Sequence, residues 1–210
     1  MATFPSPPAR LPDLSSDDIA QIGGQAWRVY FSGGAHPGTW RSFRSRGPLV
    51  GGRFDHHLPP KSTSKSRGTL YAAHGSTAIE TCLAEIVQGT RVIDRHDRAP
   101  YLAAFQLERS LRLLDLRDSW PARAGVTQIL NTGSHTQAQA WSRKIYLSYP
   151  HLDGVLYPSA ASGISGINIM LYERAAPTMP PRPLFNEPLS HTGLVLPLRR
   201  AADRFGYLLL

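Results

Sequence analysis

Apolar residues recur along the chain in short runs broken by Gly, Pro, Asn and Asp, the pattern of a protein built largely from strands. Residues 26–31 alternate, with Trp27, Val29 and Phe31 on one face and Arg28 and Tyr30 on the other. Residues 69–73 form a short apolar run between Gly68 and the pair His74 and Gly75, which predicts a buried strand. Further strands are expected at 91–93, 101–107, 111–116 and 167–172, and another between the Asp153 and Gly154 turn and Ser159. Ser162 and Gly163 read as an ordinary turn.

Two segments carry helical spacing. After Gly75, Ser76 or Thr77 offers a cap with Glu80 at capping-box distance, and Ala78, Ile79, Cys82, Leu83, Ile86 and Val87 fall on one apolar arc. Glu80 and Glu85 flank that arc at opposite edges, so helical position alone lets either acid face a cleft. Within 136–149, Ala140, Trp141, Ile145 and Tyr149 share a side, with Gly133 before the helix and Pro150 closing it. Ser15 or Ser16 reads as the start of a short helix that ends at Gly23 and Gly24.

Between these elements the chain is irregular. Pro5, Pro7, Pro8 and Pro12 make the N-terminus a mobile or draped arm, residues 32–66 a long polar loop, and residues 175–188 a Pro-rich wrapping segment. The expected architecture is mixed α/β (α+β) in one domain. Residues 1–24 are expected to form an arm and short helix, 25–175 the main folded unit, and 176–210 a Pro-rich C-terminal wrap packed on it.

With 41% hydrophobic and 18% charged residues among 210, the chain has the composition of a folded globule. Its net charge of +8 and pI of about 10.1 point to an anionic partner. The densest basic stretch, 41–65, lacks the aromatic interleaving of a single-strand binder, which argues against nucleic acid and leaves a phosphate-bearing small molecule. Cys82 is the single cysteine, so no intrachain disulfide forms, and no apolar run nears the roughly 18 residues of a membrane span; a cytoplasmic protein is expected.

P-loop, dinucleotide GxGxxG, HExxH and GxSxG motifs are all missing. His56 and His57 are neighbours with no further ligands at metal-site spacing, so no metal is expected. Gly51, Gly52 and Arg53 do combine close backbone approach with an arginine able to grip a phosphate.

Taken in order, WRVY at 27–30, GGRF at 51–54, LYAA at 70–73, TCLAE at 81–85 and DGVLYPS at 153–159 resemble the RES-domain family, named for its Arg, Glu and Ser. The resemblance runs from about residue 26 to 172. It implies a bacterial toxin with an ADP-ribosyltransferase-like fold, central β-sheets flanked by helices, paired with a Xre-type antitoxin; a homodimer is allowed. It implies cleavage of the nicotinamide–ribose bond of NAD by hydrolysis or phosphorolysis, with NAD as substrate, inorganic phosphate as co-substrate in the second case, and no true cofactor. One branch of the family is linked to ADP-ribosylation of a protein, and a catalytically silent basic module is the other alternative.

Matched position by position, the resemblance makes Arg28, Glu85 and Ser159 the catalytic set. Arg28, Arg53, Tyr71, Tyr30 and His56 become NAD-binding residues, Tyr71 as a platform for nicotinamide. The gap from Tyr71 to Glu85 is longer than the family pattern, which keeps Glu80 as the alternative acid, with a role as helix cap if Glu85 is the catalytic one.

Overall fold

A computed structural model describes residues 4–159 and 166–210; the turn expected at Ser162 and Gly163 lies outside them. In chain order the elements are β1 (Ile19–Ile22), β2 (Gln25–Phe31), β3 (Arg46–Gly47), β4 (Ser62–Thr63), β5 (Thr69–His74) and α1 (Ala78–Val87). Next come β6 (Val92–Ile93), β7 (Pro100–Gln106), β8 (Leu111–Asp115), α2 (Trp120–Arg123), α3 (Ile129–Thr132) and α4 (His135–Ser148). The chain closes with β9 (Gly154–Pro158), β10 (Ile167–Tyr172), β11 (Phe185–Pro188), α5 (Val195–Phe205) and β12 (Leu208–Leu209).

Eight strands form one mixed sheet in the order β1-β8-β9-β10-β5-β2-β7-β11. Every neighbouring pair is antiparallel except β8 and β9. The joints differ greatly in extent. β10 pairs with β5 over six residues and β2 with β7 over seven, whereas β2 meets β5 only at Ala26 with His74 and Trp27 with Ala73. Beyond Trp27 the two strands part, and the Cys82 thiol of α1 donates to the Trp27 carbonyl at 3.0 Å at the fork.

Strand alternation splits the interior into three apolar groups. Trp120, Trp141, Ile145, Val155, Tyr157 and Met170 belong to one, packed under α2 and α4. Val29, Ala73 and Leu102 pack with Cys82 and Leu83 of α1 and Leu198 and Ala201 of α5 in another. Ala26, Tyr30, Leu70, Phe105, Leu156 and Ile169 lie with Trp40 and Met179 in the third. The arm is draped rather than free: Leu11 is buried, the Trp141 Nε1–H donates to the Pro5 carbonyl at 2.8 Å, and the Tyr149 hydroxyl donates to the Pro12 carbonyl at 2.6 Å.

Several local expectations are corrected. The helix expected to run from Ser15 or Ser16 to Gly23 is a single 3-10 turn, Ser16–Asp18, followed by β1, because residues 19–22 gain a ladder against Leu111–Leu114 that overrides the capping signal. The C-terminal wrap contains β11 and the amphipathic helix α5, which buries Leu198, Ala201 and Ala202 and ends at Gly206 in the left-handed region. In α4 Ala138 is buried and Ala140 only half-buried. Among the described residues no helix is long and apolar enough to cross a membrane.

Candidate functional site

A cleft of about 290 Å³ opens where β2 and β5 separate. Arg28 and Val29, whose side chains alternate across β2, both line it, as do Tyr71 and Ala72 of β5, so it enters the gap between the strands. Glu85 and Ile86 of α1 form one wall, Gly51, Gly52 and Arg53 another, and Tyr157 and Asn168 part of the floor.

Glu85 is fixed from across the chain. The Ser159 hydroxyl at the end of β9 donates to Glu85 Oε1 at 2.5 Å, and the Asn168 Nδ2–H of β10 donates to the same oxygen at 2.8 Å. Among the described residues no donor reaches Oε2. Glu80 is half-buried on the same helix, outside the cleft lining. Its expected capping role is also corrected: Thr77 is the N-cap and makes no side-chain capping bond. Ile86, placed on the apolar arc by spacing, is 44% exposed at the cleft wall, while Thr81 and Ala84 are buried instead. The β9–β10 hairpin presses so closely on α1 that a Cβ on Gly166 would lie 2.5 Å from Thr81 Oγ1.

Arginines share the cleft with the acid. Arg28 Nη1 donates to the carbonyls of Trp40 and Ser42, both at 3.2 Å, and its buried Nε has no partner among the described residues. Burial lowers the Arg28 pKa to about 10, which leaves it cationic at neutral pH. Arg53 Nη1 donates to the Gly133 carbonyl at 2.7 Å; burial lowers its pKa too, with Tyr157 and Glu85 opposing. Arg44 is a third cleft arginine, with Nη2 paired to buried Asp55 Oδ2 at 2.8 Å.

Asp55 anchors the loop that delivers Arg53. Burial would raise its pKa, but hydrogen bonds from His57 and the Leu49 N–H, together with Arg44, outweigh this and hold it well below the usual carboxylate range. Gly52 sits close to its neighbours at this turn: a Cβ would lie 3.2 Å from Asp55 Cβ and 3.3 Å from the Tyr71 hydroxyl, tight enough that they would have to shift. Among the described residues that buried hydroxyl makes no hydrogen bond of good geometry, and burial raises its pKa, so Tyr71 brings a neutral ring and O–H to the cleft. Tyr157 is likewise kept neutral by burial, reinforced by Glu85.

Of the residues expected from sequence, Arg28, Arg53, Tyr71, Glu85 and Ser159 converge here. Tyr30 and His56 do not line the cleft. Tyr30 is buried in the apolar group around Trp40, donates to Asn186 Oδ1 at 2.9 Å and stacks on Tyr101. His56 is buried against Tyr146 and 3.1 Å from Glu173, and burial pulls its pKa down. Asn168, Tyr157 and Arg44 went unassigned in the sequence. Asn168 had a readable signal: it is the polar position on the strand face shared with Met170 and Tyr172.

A carboxylate held by neutral donors in a cleft shared with desolvated arginines suits an anionic ligand on which positive charge develops. Comparison with family models matched the RES domain over residues 25–190. Among solved structures, the chain is similar to the crystal structure of the M. tuberculosis MbcT–MbcA toxin–antitoxin complex. The TM-score is 0.53 at 16% identity, covering 80% of this chain and 85% of that one. Comparison with curated protein sequences returned no match.

Proposed function

The chain belongs to the RES-domain family, and from that premise we propose that it is the toxin of a toxin–antitoxin pair and cleaves the nicotinamide–ribose bond of NAD. The observation that carries this reading is Glu85, held by Ser159 and Asn168 in a cleft that it shares with Arg28 and Arg53.

The arginines grip the pyrophosphate, and Arg28 Nε and the Tyr71 hydroxyl supply buried donors that a ligand satisfies. The C–N bond breaks with its electron pair leaving on nicotinamide, a neutral product. The ribose carbon becomes oxocarbenium-like, and the Glu85 carboxylate stabilises that charge and steers an incoming oxygen. Water as acceptor gives ADP-ribose and inorganic phosphate gives ADP-ribose phosphate. The partner is a Xre-type antitoxin.

Purified protein, freed of any antitoxin, is incubated with NAD with and without phosphate, and nicotinamide and the mass of the second product are followed. Release of nicotinamide with ADP-ribose or its phosphate is the expected result. A mass increase on a protein would instead mark ADP-ribosyl transfer, and no release under either condition overturns the reading.

A further inference from the structure

Asn168 sits where the cleft needs a polar group and the fold would otherwise place an apolar one. On its face of β10 the next positions, Met170 and Tyr172, belong to the apolar group under α2 and α4. Across the ladders it faces Tyr157 of that same group and Ala73 of the group under α1 and α5. It marks the seam between two cores on one side of the sheet. An amide 4% exposed in such a place is costly unless bonded, and its Nδ2–H donates to Glu85 Oε1.

The chemistry of the donors matters as much as their number. Ser159 and Asn168 are both neutral, so they orient the carboxylate without cancelling its charge, whereas an arginine there would neutralise it. Both bonds fall on Oε1, and among the described residues no donor reaches Oε2, while Glu85 itself lines the cleft. Resting on the NAD-cleaving reading above, we infer that Asn168 is a positioning residue whose amide aims the charged Glu85 at the reacting sugar.

Other titratable groups lining the cleft near this carboxylate are Arg28 of β2, Arg44 and Arg53 of the loop, Tyr71 of β5, Cys82 of α1, His135 of α4 and Tyr157 of β9. Arg28 stays cationic, and burial keeps Tyr71, Tyr157 and the Cys82 thiol neutral across the working range. His135 is unchanged in the variants below, so a shift relative to the unaltered protein reports the acid.

The test compares Asn168→Leu, Asn168→Ser and Asn168→Asp with the unaltered protein by nicotinamide release, with melting temperature as the check on folding. Losing a hydrogen bond to a charged group predicts a kcat about 10- to 100-fold lower in Asn168→Leu, with KM within about threefold. Asn168→Ser, whose shorter side chain cannot span the gap, gives the same fall and carries the test if the leucine variant does not fold. Asn168→Asp sets a second carboxylate beside the first, and two such neighbours resist ionising together, so the acid limb of kcat/KM moves up by about one pH unit or more. Folded variants that keep the unaltered protein's kcat and pH profile overturn the assignment. An unaltered protein that releases no nicotinamide overturns the proposed function instead.

Discussion

The hydroxyl of Ser159 lies 2.5 Å from the carboxylate of Glu85, although 74 positions separate them in the chain. The contact joins the end of β9 to the third turn of α1, and of the two acids on that helix it is Glu85 that lines the cleft. Glu85→Gln therefore lowers nicotinamide release by on the order of a hundredfold or more. Glu80→Gln, altered outside the cleft, stays within about threefold of the unaltered protein. Parallel rates on the two purified variants check this, and the reverse order would return the catalytic role to Glu80.

Arg53 reaches the cleft from a loop fixed by Asp55, with one of its N–H groups committed to the Gly133 carbonyl. Arg53→Lys keeps the charge but loses the planar fork, and KM for NAD rises by about tenfold. Because the group acts on ground state and transition state alike, kcat changes much less. Initial rates across an NAD titration separate the two parameters.

Gly166 has no room for a methyl group. An added Cβ would fall 2.5 Å from Thr81 Oγ1 and 3.2 Å from Ser159 Cβ, and Thr81 lies one turn before Glu85. Gly166→Ala should destabilise the protein by about 1–3 kcal/mol through overpacking. It should also lower kcat by pushing the hairpin away from the helix. Urea unfolding and turnover on the same preparation show both effects; a change in neither would mean that hairpin and helix separate without cost.

Away from the cleft, Glu173 sets an acid limit on stability. Burial alone would raise its pKa, but the His56 ring, the Tyr146 hydroxyl at 2.5 Å and the Gly68 N–H at 2.9 Å outweigh this and hold it at about 2. The unfolded chain therefore takes up this proton at higher pH than the folded one. The contribution is present in full above an ordinary pKa of 4.5 and disappears as pH falls towards 2, a loss of up to about 3 kcal/mol. Urea midpoints measured between pH 6 and 3 should fall less steeply in Glu173→Gln than in the unaltered protein.

Much of this was legible in the chain because local pattern and tertiary demand agree. The alternation at 26–31 and the apolar runs at 69–73 and 167–172 are strands, since the same side chains that favour a pleated surface also fill the cores. Arg28, Arg53, Tyr71, Glu85 and Ser159 were readable as an ordered set of motifs. Their convergence was not, because it depends on strand order and on where two strands part. β1 was misread because its partner β8 lies about ninety residues away, beyond the reach of a local capping signal. The resemblance makes Tyr30 an NAD-binding residue, whereas the structure buries it beside Trp40, outside the cleft lining, with its hydroxyl on Asn186. Asn168 escaped notice since one amide in an apolar strand reveals a partner's existence and not its identity.

The sheet has a gate at its centre instead of a continuous weave. Five strands stand on one side and three on the other, stitched by two residue pairs between β2 and β5. An unpaired strand edge on a protein's exterior invites other strands to add and aggregate. Here the loose edge lies inside the molecule, in an opening of about 290 Å³ flanked by Arg28 on one lip and Tyr71 on the other. The facing edges of β2 and β5 beyond Trp27 therefore border a cleft within the fold and do not form an outer sheet edge open to strand addition.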